Sequence, residues 1–304
     1  MKHYWNKKGL IFCPSGEYES MFSHAAVPIA EHISGDIFKI YFSSRNKNNE
    51  SFTNYIIIDI TNPTKILDIS INPILIPGDL GEFDDSGAMA TWLAHYNERS
   101  FLYYIGWNLG VTVPFRNSLG LAVRDDKKEF TKYAKGPVLD RSMDEPHFVA
   151  SCCVIPCKEK WRMWYLSCVG WKVSDNGPEH RYHIKYAESE DGILWDRKGI
   201  VAIDFKDDDE YAISRPSVIY DKYCWKMWYS YRGQSYRIGY AESDDGIHWK
   251  RLDKECGIDV SESGWDSEMI EYPFVFDHAG VRYMLYNGNE FGKSGFGLAV
   301  MEEC

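Results

Sequence analysis

Positive charge is scarce in this sequence. Its 34 Lys and Arg face 45 Asp and Glu, leaving a formal net charge of −11 over 304 residues. That deficit excludes a protein that holds nucleic acid or an anionic membrane by bulk charge. No apolar run approaches the roughly 18 residues that span a bilayer, so no membrane span is expected. The start, Met1 to Lys8, leads into only a short apolar run, Gly9 to Cys13, with no signal-peptide core, so a cytoplasmic location is expected. The eight cysteines then read as reduced thiols. Cys152 and Cys153 are adjacent in a strand-like segment and point to opposite faces, which suits buried thiols better than a metal site with Cys157. A helical period is also missing, since no segment repeats its apolar residues every three to four positions.

Aromatic residues, in contrast, are abundant: 11 Trp, 21 Tyr and 15 Phe make up 15% of the chain. Many belong to a repeat. Trp161-Arg-Met-Trp-Tyr165 returns as Trp225-Lys-Met-Trp-Tyr229, and Ile184-Lys-Tyr-Ala-Glu-Ser-Glu-Asp-Gly-Ile-Leu-Trp195 returns as Ile238-Gly-Tyr-Ala-Glu-Ser-Asp-Asp-Gly-Ile-His-Trp249. Weaker copies are Phe38–Phe42 with Tyr55–Asp59, Phe101–Ile105 with Leu119–Asp126, and Arg282–Tyr286 with Gly295–Val300. Short apolar runs separated by turn residues read as antiparallel meanders. Five such units at about 60 residues each, without a linker, predict an all-β fold, a single five-bladed β-propeller over residues 1–304 with four-stranded blades. The fifth unit stops after its third strand, and the spare segment His3–Phe12 is expected to supply the missing strand and close the last blade. The Ser-x-Asp-Gly-Ile-x-Trp pieces, Ser189–Trp195 and Ser243–Trp249, read as turns in which Ser and Asp bond backbone N–H groups and Gly takes positive φ.

In such a blade the loop entering the first strand and the loop joining the second and third share the face around the channel mouth. Those loops carry acids, arginines, amides and tryptophans: Glu19 and Ser23-His24, Glu82–Gly87, Asp144–His147, Asp207–Tyr211 with Ser214-Arg215, and Trp265–Pro273 on entry, then Ser43–Asn46, Gly106–Asn108 with Pro114–Ser118, Gly170–Lys172, Tyr231–Gly233 and Asn287–Phe291. Aromatic faces that stack on sugar rings, forks of Arg and Asn that bond hydroxyls, and paired carboxylates for acid/base work together suit a carbohydrate. Asp85 or its neighbour Asp84 is the expected catalytic carboxylate, with Glu145 or Glu271 as partner, and crowding should raise the pKa of one of them. Expected substrate contacts are His24, Trp107, Arg116, His147, Trp171, Ser214, Arg215, Arg232, Asp266, Tyr272 and Asn287. Arg215, on an innermost strand, should pair with an acid such as Glu271 or bind an anionic substrate. The stretch from Tyr165 to Tyr186 is ten residues longer than that from Tyr229 to Tyr240, and this insertion is expected to cover one side of the site. No cofactor is expected, although acids in the channel also suit a structural cation.

With these motifs the chain resembles the five-bladed propeller glycosidases: arabinanases and xylosidases, invertase-like enzymes and mannoside phosphorylases, glycoside hydrolase families 43, 32, 68 and 130. It is also similar to proteins of bacterial surface-polysaccharide gene clusters. The resemblance implies glycosyl cleavage, phosphorolysis or transfer on a glycan, sugar nucleotide or sugar phosphate, in polysaccharide metabolism. Two carboxylates of the family pattern are absent, because the blade-one position reads Ser23-His24-Ala-Ala-Val-Pro28 and the Glu-Gly-Pro-like position reads Ser214-Arg215-Pro216. That departure favours the phosphorylase branch, in which His24, Arg116 and Arg215 would hold phosphate. A non-catalytic sugar-binding scaffold is the alternative.

Overall fold

The computed structural model describes residues 4–125, 128–175, 177–221 and 223–302. His3, Asp126 and Cys304 lie outside them.

The repeated aromatic motifs become antiparallel strands packed on both faces. Along a strand, residues of opposite parity face opposite sides. Trp161 accordingly meets Tyr96 and Phe101 of the preceding unit at 5.2 and 4.9 Å, and Trp164 meets Trp225 and Trp249 of the following one at 5.6 and 6.1 Å. The excess of aromatics is first of all the cement between sheets.

Strand β1 (Tyr4–Phe12) opens the chain. A first meander follows: β2 (Ser23–Ser34), β3 (Ile37–Arg45), β4 (Ser51–Asp59) and β5 (Ile66–Ile69). Next come β6 (Gly87–Tyr96), β7 (Arg99–Leu109), β8 (Phe115–Asp125) and β9 (Thr131–Lys132), then β10 (Val149–Ile155), β11 (Trp161–Ser174), β12 (Gly177–Ser189) and β13 (Val201–Ile203). These are followed by β14 (Ala212–Asp221), β15 (Cys224–Arg232), β16 (Tyr236–Ser243) and β17 (Lys250–Arg251). The last strands are β18 (Glu271–His278), β19 (Val281–Asn287) and β20 (Phe296–Glu302), and β1 joins them in the order β1-β20-β19-β18. Tyr4 pairs with Glu302 and Lys7 with Ala299, so the two ends of the chain share one sheet. Single parallel bridges, Ser51 to Gly87 and Tyr182 to Ala212, link neighbouring meanders. The first strands touch in a closed cycle, β2 to β6, β6 to β10, β10 to β14, β14 to β18, and β18 back to β2. The result is an all-β, propeller-like fold.

Outer strands are short and carry charge, as in Thr131-Lys132 and Lys250-Arg251, which blunts exposed edges. The Ser-x-Asp-Gly segments are turns. Ser189 Oγ accepts from Gly192 N at 2.9 Å and Asp191 Oδ1 from Ile193 N and Leu194 N at 2.8 and 2.9 Å, and Ser243 and Asp245 repeat the pattern. Gly192 sits at φ 75°, and a Cβ there would stand 2.6 Å from the Trp161 ring.

All the first strands share an irregularity that matters for the site: their ladders slip at Ser23/Ala26 and Ala26/Ile29, Ala90/Trp92, Ala150/Cys152, Ser214/Ser217 and Glu271/Phe274. In three of them the residue before a proline, Val27, Arg215 or Tyr272, has φ near +55° (55°, 53° and 55°). Bulges of this kind re-aim side chains, and here they turn them toward the centre of the ring.

A central cavity lined by arginines and aromatics

A cavity of about 350 Å³ opens where the first strands converge. One wall is a chain of rings: Phe115 to Phe148 at 5.5 Å, Phe148 to Tyr182 at 6.1 Å, a hydrogen bond between the Tyr182 and Tyr236 hydroxyls, then Tyr236 to Tyr272 and Phe291 at 6.1 and 6.0 Å. His180 stacks on Tyr182 at 4.8 Å with Trp171 edge-on behind it. The insertion in the third meander builds this corner. It extends the β11–β12 ladder out to Ser174 and Gly177 instead of forming a loose loop. Trp107 also lines the cavity. It can reach that position because residue 87 is a glycine whose Cβ would stand 2.2 Å from the indole nitrogen.

The polar lining is cationic. Arg45, Arg215 and Arg232 line the cavity with His24, His180, Ser214 and Asn117, and no Asp or Glu is among the described residues that line it. Arg215 has no exposed surface. Its Nη1 bonds the Thr91 carbonyl and its Nη2 donates to the Pro28 carbonyl at 3.2 Å, while its Nε–H has no partner among the described residues. Burial pulls its pKa down to about 10, so it stays charged at neutral pH. Arg232 lies against the faces of Tyr211, Tyr236 and Phe291 at 5.4, 5.4 and 5.6 Å, and its Nε–H is likewise unpartnered. Burial and the neighbouring cations push both histidines to a pKa of about 4, with Arg45 and Lys293 acting on His24 and Arg232 on His180.

Glu271 begins β18 directly before the cavity residue Tyr272. It is fully buried, and neither carboxylate oxygen has a hydrogen-bond partner among the described residues. Burial pushes its pKa well up, against the opposing pull of Arg232 and of Tyr272, so the carboxyl is held protonated beyond the usual carboxylate range. The expected pairing of Arg215 with Glu271 does not form, since no described carboxylate reaches that guanidinium within an ion-pair distance.

The other acids singled out in the sequence do not line this cavity. Asp84 accepts from Lys132 at 2.7 Å and from the Tyr104 hydroxyl at 3.0 Å, and it borders a separate open cleft of about 540 Å³. Glu145 is held by Lys185, Arg197, Tyr165 and Ser167 at 2.8 to 3.0 Å. Asp266 is held by Lys7 at 2.8 Å and Tyr286 at 3.1 Å. Each is a staple between the entry loop, a tyrosine of the second strand and a cation farther out. Glu210 with Arg251, Asp253 and Tyr229 repeats the plan. Asp85 is half-buried in its turn. Burial alone would raise its pKa, but hydrogen bonds from Asn108, Gly81 and Ser86 outweigh that and hold it below the usual value. Among the described residues, no three His, Cys, Asp or Glu side chains come together as a cation site requires.

Of the expected contacts, His24, Trp107, Ser214, Arg215, Arg232 and Tyr272 line the cavity, and Trp171 packs behind its wall. Arg116 is exposed, because Phe115 and Asn117 on either side of it in β8 face inward and strand alternation turns it away. His147 is half-buried outside the lining. Asn287 is a tie: it accepts from Val27 N at 2.8 Å and donates to the Ala25 and Gly295 carbonyls at 2.7 and 2.9 Å, joining β2 to the last sheet. Phe148, Tyr182 and Tyr236 were not singled out, and Arg45, Phe115 and Phe291 were read only as parts of channel-mouth loops. The recurring x-Pro in the first strands, Val27-Pro28, Arg215-Pro216 and Tyr272-Pro273, is the sequence signal that points to this ring.

No family model matches the sequence. The chain is 45% identical over 298 residues to two Mycobacterium tuberculosis proteins, "Uncharacterized protein Rv1502" of strain H37Rv and "Uncharacterized protein MT1551" of strain CDC 1551. The match covers 98% of this chain and 99% of each of them. The chain belongs to their family. Solved structures similar to this chain include glycoside hydrolases. One glycoside hydrolase has a TM-score of 0.73 at 17% identity, covering 100% of this chain and 92% of its own. A glycosyl hydrolase from Bacteroides ovatus has a TM-score of 0.72 at 15% identity, covering 99% and 94%. The Bombyx mori GH32 beta-fructofuranosidase BmSUC1 reaches 0.63 at 14% identity, covering 99% of this chain and 61% of its own. The family member thus has the fold of the propeller glycosidase superfamily. No helix of the described residues is long and apolar enough to cross a membrane.

Proposed function

We propose that the protein is a five-bladed propeller, closed by its N-terminal strand, whose central cavity binds a glycan or activated sugar and cleaves or transfers a glycosyl unit. What carries this reading is the meeting, in one cavity, of an aromatic wall and three guanidinium groups, with the buried Glu271 directly before the lining residue Tyr272 in the chain and its pKa pushed up by burial. The aromatic rings offer stacking faces for a sugar, and Trp107, Ser214 and Asn117 offer donors and acceptors for its hydroxyls. The volume suits one or two sugar rings, within the usual range for small-ligand sites. Glu271, whose pKa burial raises, is assigned as the source of the proton for the departing glycosidic oxygen, delivered through the hydroxyl of the lining residue Tyr272 because Glu271 itself does not line the cavity. The attacking group is then water, phosphate or an acceptor hydroxyl. With Asp84, Glu145 and Asp266 stapled elsewhere, Glu271 is the candidate carboxyl left next to the cavity among the described residues. Buried free thiols such as Cys152 and Cys153 fit a reducing compartment.

The absence of any carboxylate from the described lining favours a second reading, a sugar-binding protein without turnover in polysaccharide assembly. A thermal-shift screen of sugar phosphates, nucleotide sugars and oligosaccharides, followed by turnover assays on the ligands it finds, separates the two. On a processed substrate, Glu271→Gln should lose at least about a hundredfold in kcat. Asp85→Asn should stay within about threefold of the wild type. Full turnover in Glu271→Gln contradicts the assignment, and tight ligands with no turnover in the wild type favour the binding protein.

A further inference from the structure

We propose that the ligand of this cavity carries a phosphoryl group, received by Arg215 together with Arg45 and Arg232. The inference rests on the central cavity being the functional site and adds the chemical class of its ligand. In a chain of net charge −11, no acid is among the described residues that line this cavity, whereas three arginines are.

Ion pairing is the habit of this protein elsewhere. Arg124 pairs with Glu31, Arg197 with Glu145 at 2.8 Å, Arg251 with Glu210 at 2.6 Å and Arg282 with Asp277 at 2.7 Å. Arg215 is more deeply buried than any of these and has no carboxylate among the described residues, only carbonyl and hydroxyl acceptors. An isolated buried charge is costly, and the thiols of Cys152 and Cys153 beside it do not offset it, because burial pushes their pKa values up and keeps them neutral. Glu271, which lies near Arg232 rather than Arg215, has its pKa pushed well up by burial, which weakens it as a counter-charge.

Position is specified as well as charge. Arg215 sits at φ 53° before Pro216, a conformation that costs of order 1–3 kcal/mol and persists where the surroundings over-determine it. Its amide is fixed by Ser151 Oγ at 3.2 Å from the neighbouring first strand. What remains is a guanidinium of the cavity lining with a buried, unpartnered Nε–H and a second one, Arg232, clamped by aromatic faces with its own Nε–H buried and unpartnered. Planar forks of this kind match the oxygens of a phosphoryl group. The group can be part of a sugar phosphate or arrive as free phosphate.

The test is calorimetric titration of the full chain, at matched ionic strength, with inorganic phosphate, a panel of hexose 1-phosphates and the parent neutral hexoses. Phosphate should bind, and at least one hexose 1-phosphate should bind more tightly than both phosphate and its parent sugar if the group belongs to the ligand. Phosphate alone binding more tightly marks it as a co-substrate. Arg232→Gln and Arg45→Gln, at less enclosed positions than Arg215, should each weaken binding at least about tenfold. Lys158→Gln, exposed and outside the lining, should leave it unchanged. Equal affinity in the arginine variants, or no phosphoryl binding beyond a chloride control, overturns the proposal. Neutral oligosaccharides bound in the cavity without phosphoryl preference would overturn it while leaving the carbohydrate site standing, whereas phosphate binding without any sugar would sustain it and remove the carbohydrate reading.

Discussion

Glu271 and Glu145 are both buried glutamates, yet their surroundings drive them in opposite directions. Glu145 is surrounded by Lys185, Arg197, Ser167 and Tyr165. Burial alone would raise its pKa, but those groups hold it below the usual value. At Glu271 burial outweighs the opposing pull of Arg232 and of Tyr272 and raises the pKa. A raised carboxyl contributes stability that is present below its unfolded pKa and is lost as pH rises through the folded one. Glu271→Gln, which keeps the neutral shape, should therefore match the wild type near pH 4 and become the more stable protein as pH rises. The gain should be roughly 2–4 °C in Tm for each unit by which the folded pKa exceeds the unfolded value. A difference that does not change between pH 4 and 9 contradicts this account of Glu271. The same variant is then a folded protein in which loss of turnover can be read as lost chemistry.

At the scale of elements, the staples explain why the acidic entry loops misled as a sequence signal. Asp84, Glu145 and Asp266 stand in the loops that enter the first strands, but their partners Lys132, Lys185 and Lys7 lie on outer or third strands. Nothing in a linear reading brings those groups together. The repeated Trp-x-Met-Trp-Tyr strands and Asp-Gly turns were legible because their partners are local or recur with the repeat. Arg116 failed for a different reason: strand alternation makes inward or outward a matter of one residue, and Phe115 and Asn117 took the inward places. If the staples hold the sheets, Glu145→Gln should lower the unfolding free energy by about 3 kcal/mol in urea titration, since it leaves buried cations without their partner. Asp79→Asn should cost less than about 0.5 kcal/mol, because its pair with Lys135 is about 80% exposed on both sides. Similar costs for the two would mean that the Glu145 cluster does not carry that load.

For the whole molecule, the closed cycle of first-strand contacts, sealed by β1 on β20 and by Asn287 between β18–β20 and β2, holds the central walls in fixed register. The negative net charge lies mainly in exposed loops and staples, while the ring centre is positive and aromatic. Bulk composition therefore excluded a basic binding face correctly but could not reveal that the acidic protein has a cationic centre. That inversion is the central claim, and a crystal structure with the tightest ligand from the screen tests it most directly. The account predicts the ligand in the central cavity, a sugar ring against the Tyr182–Tyr236–Tyr272 wall or Trp107 and an anionic group within hydrogen-bonding distance of Arg215 or Arg232. Ligand bound instead in the open cleft beside Asp79, Asp84 and Lys132, with the central cavity unchanged, would contradict it.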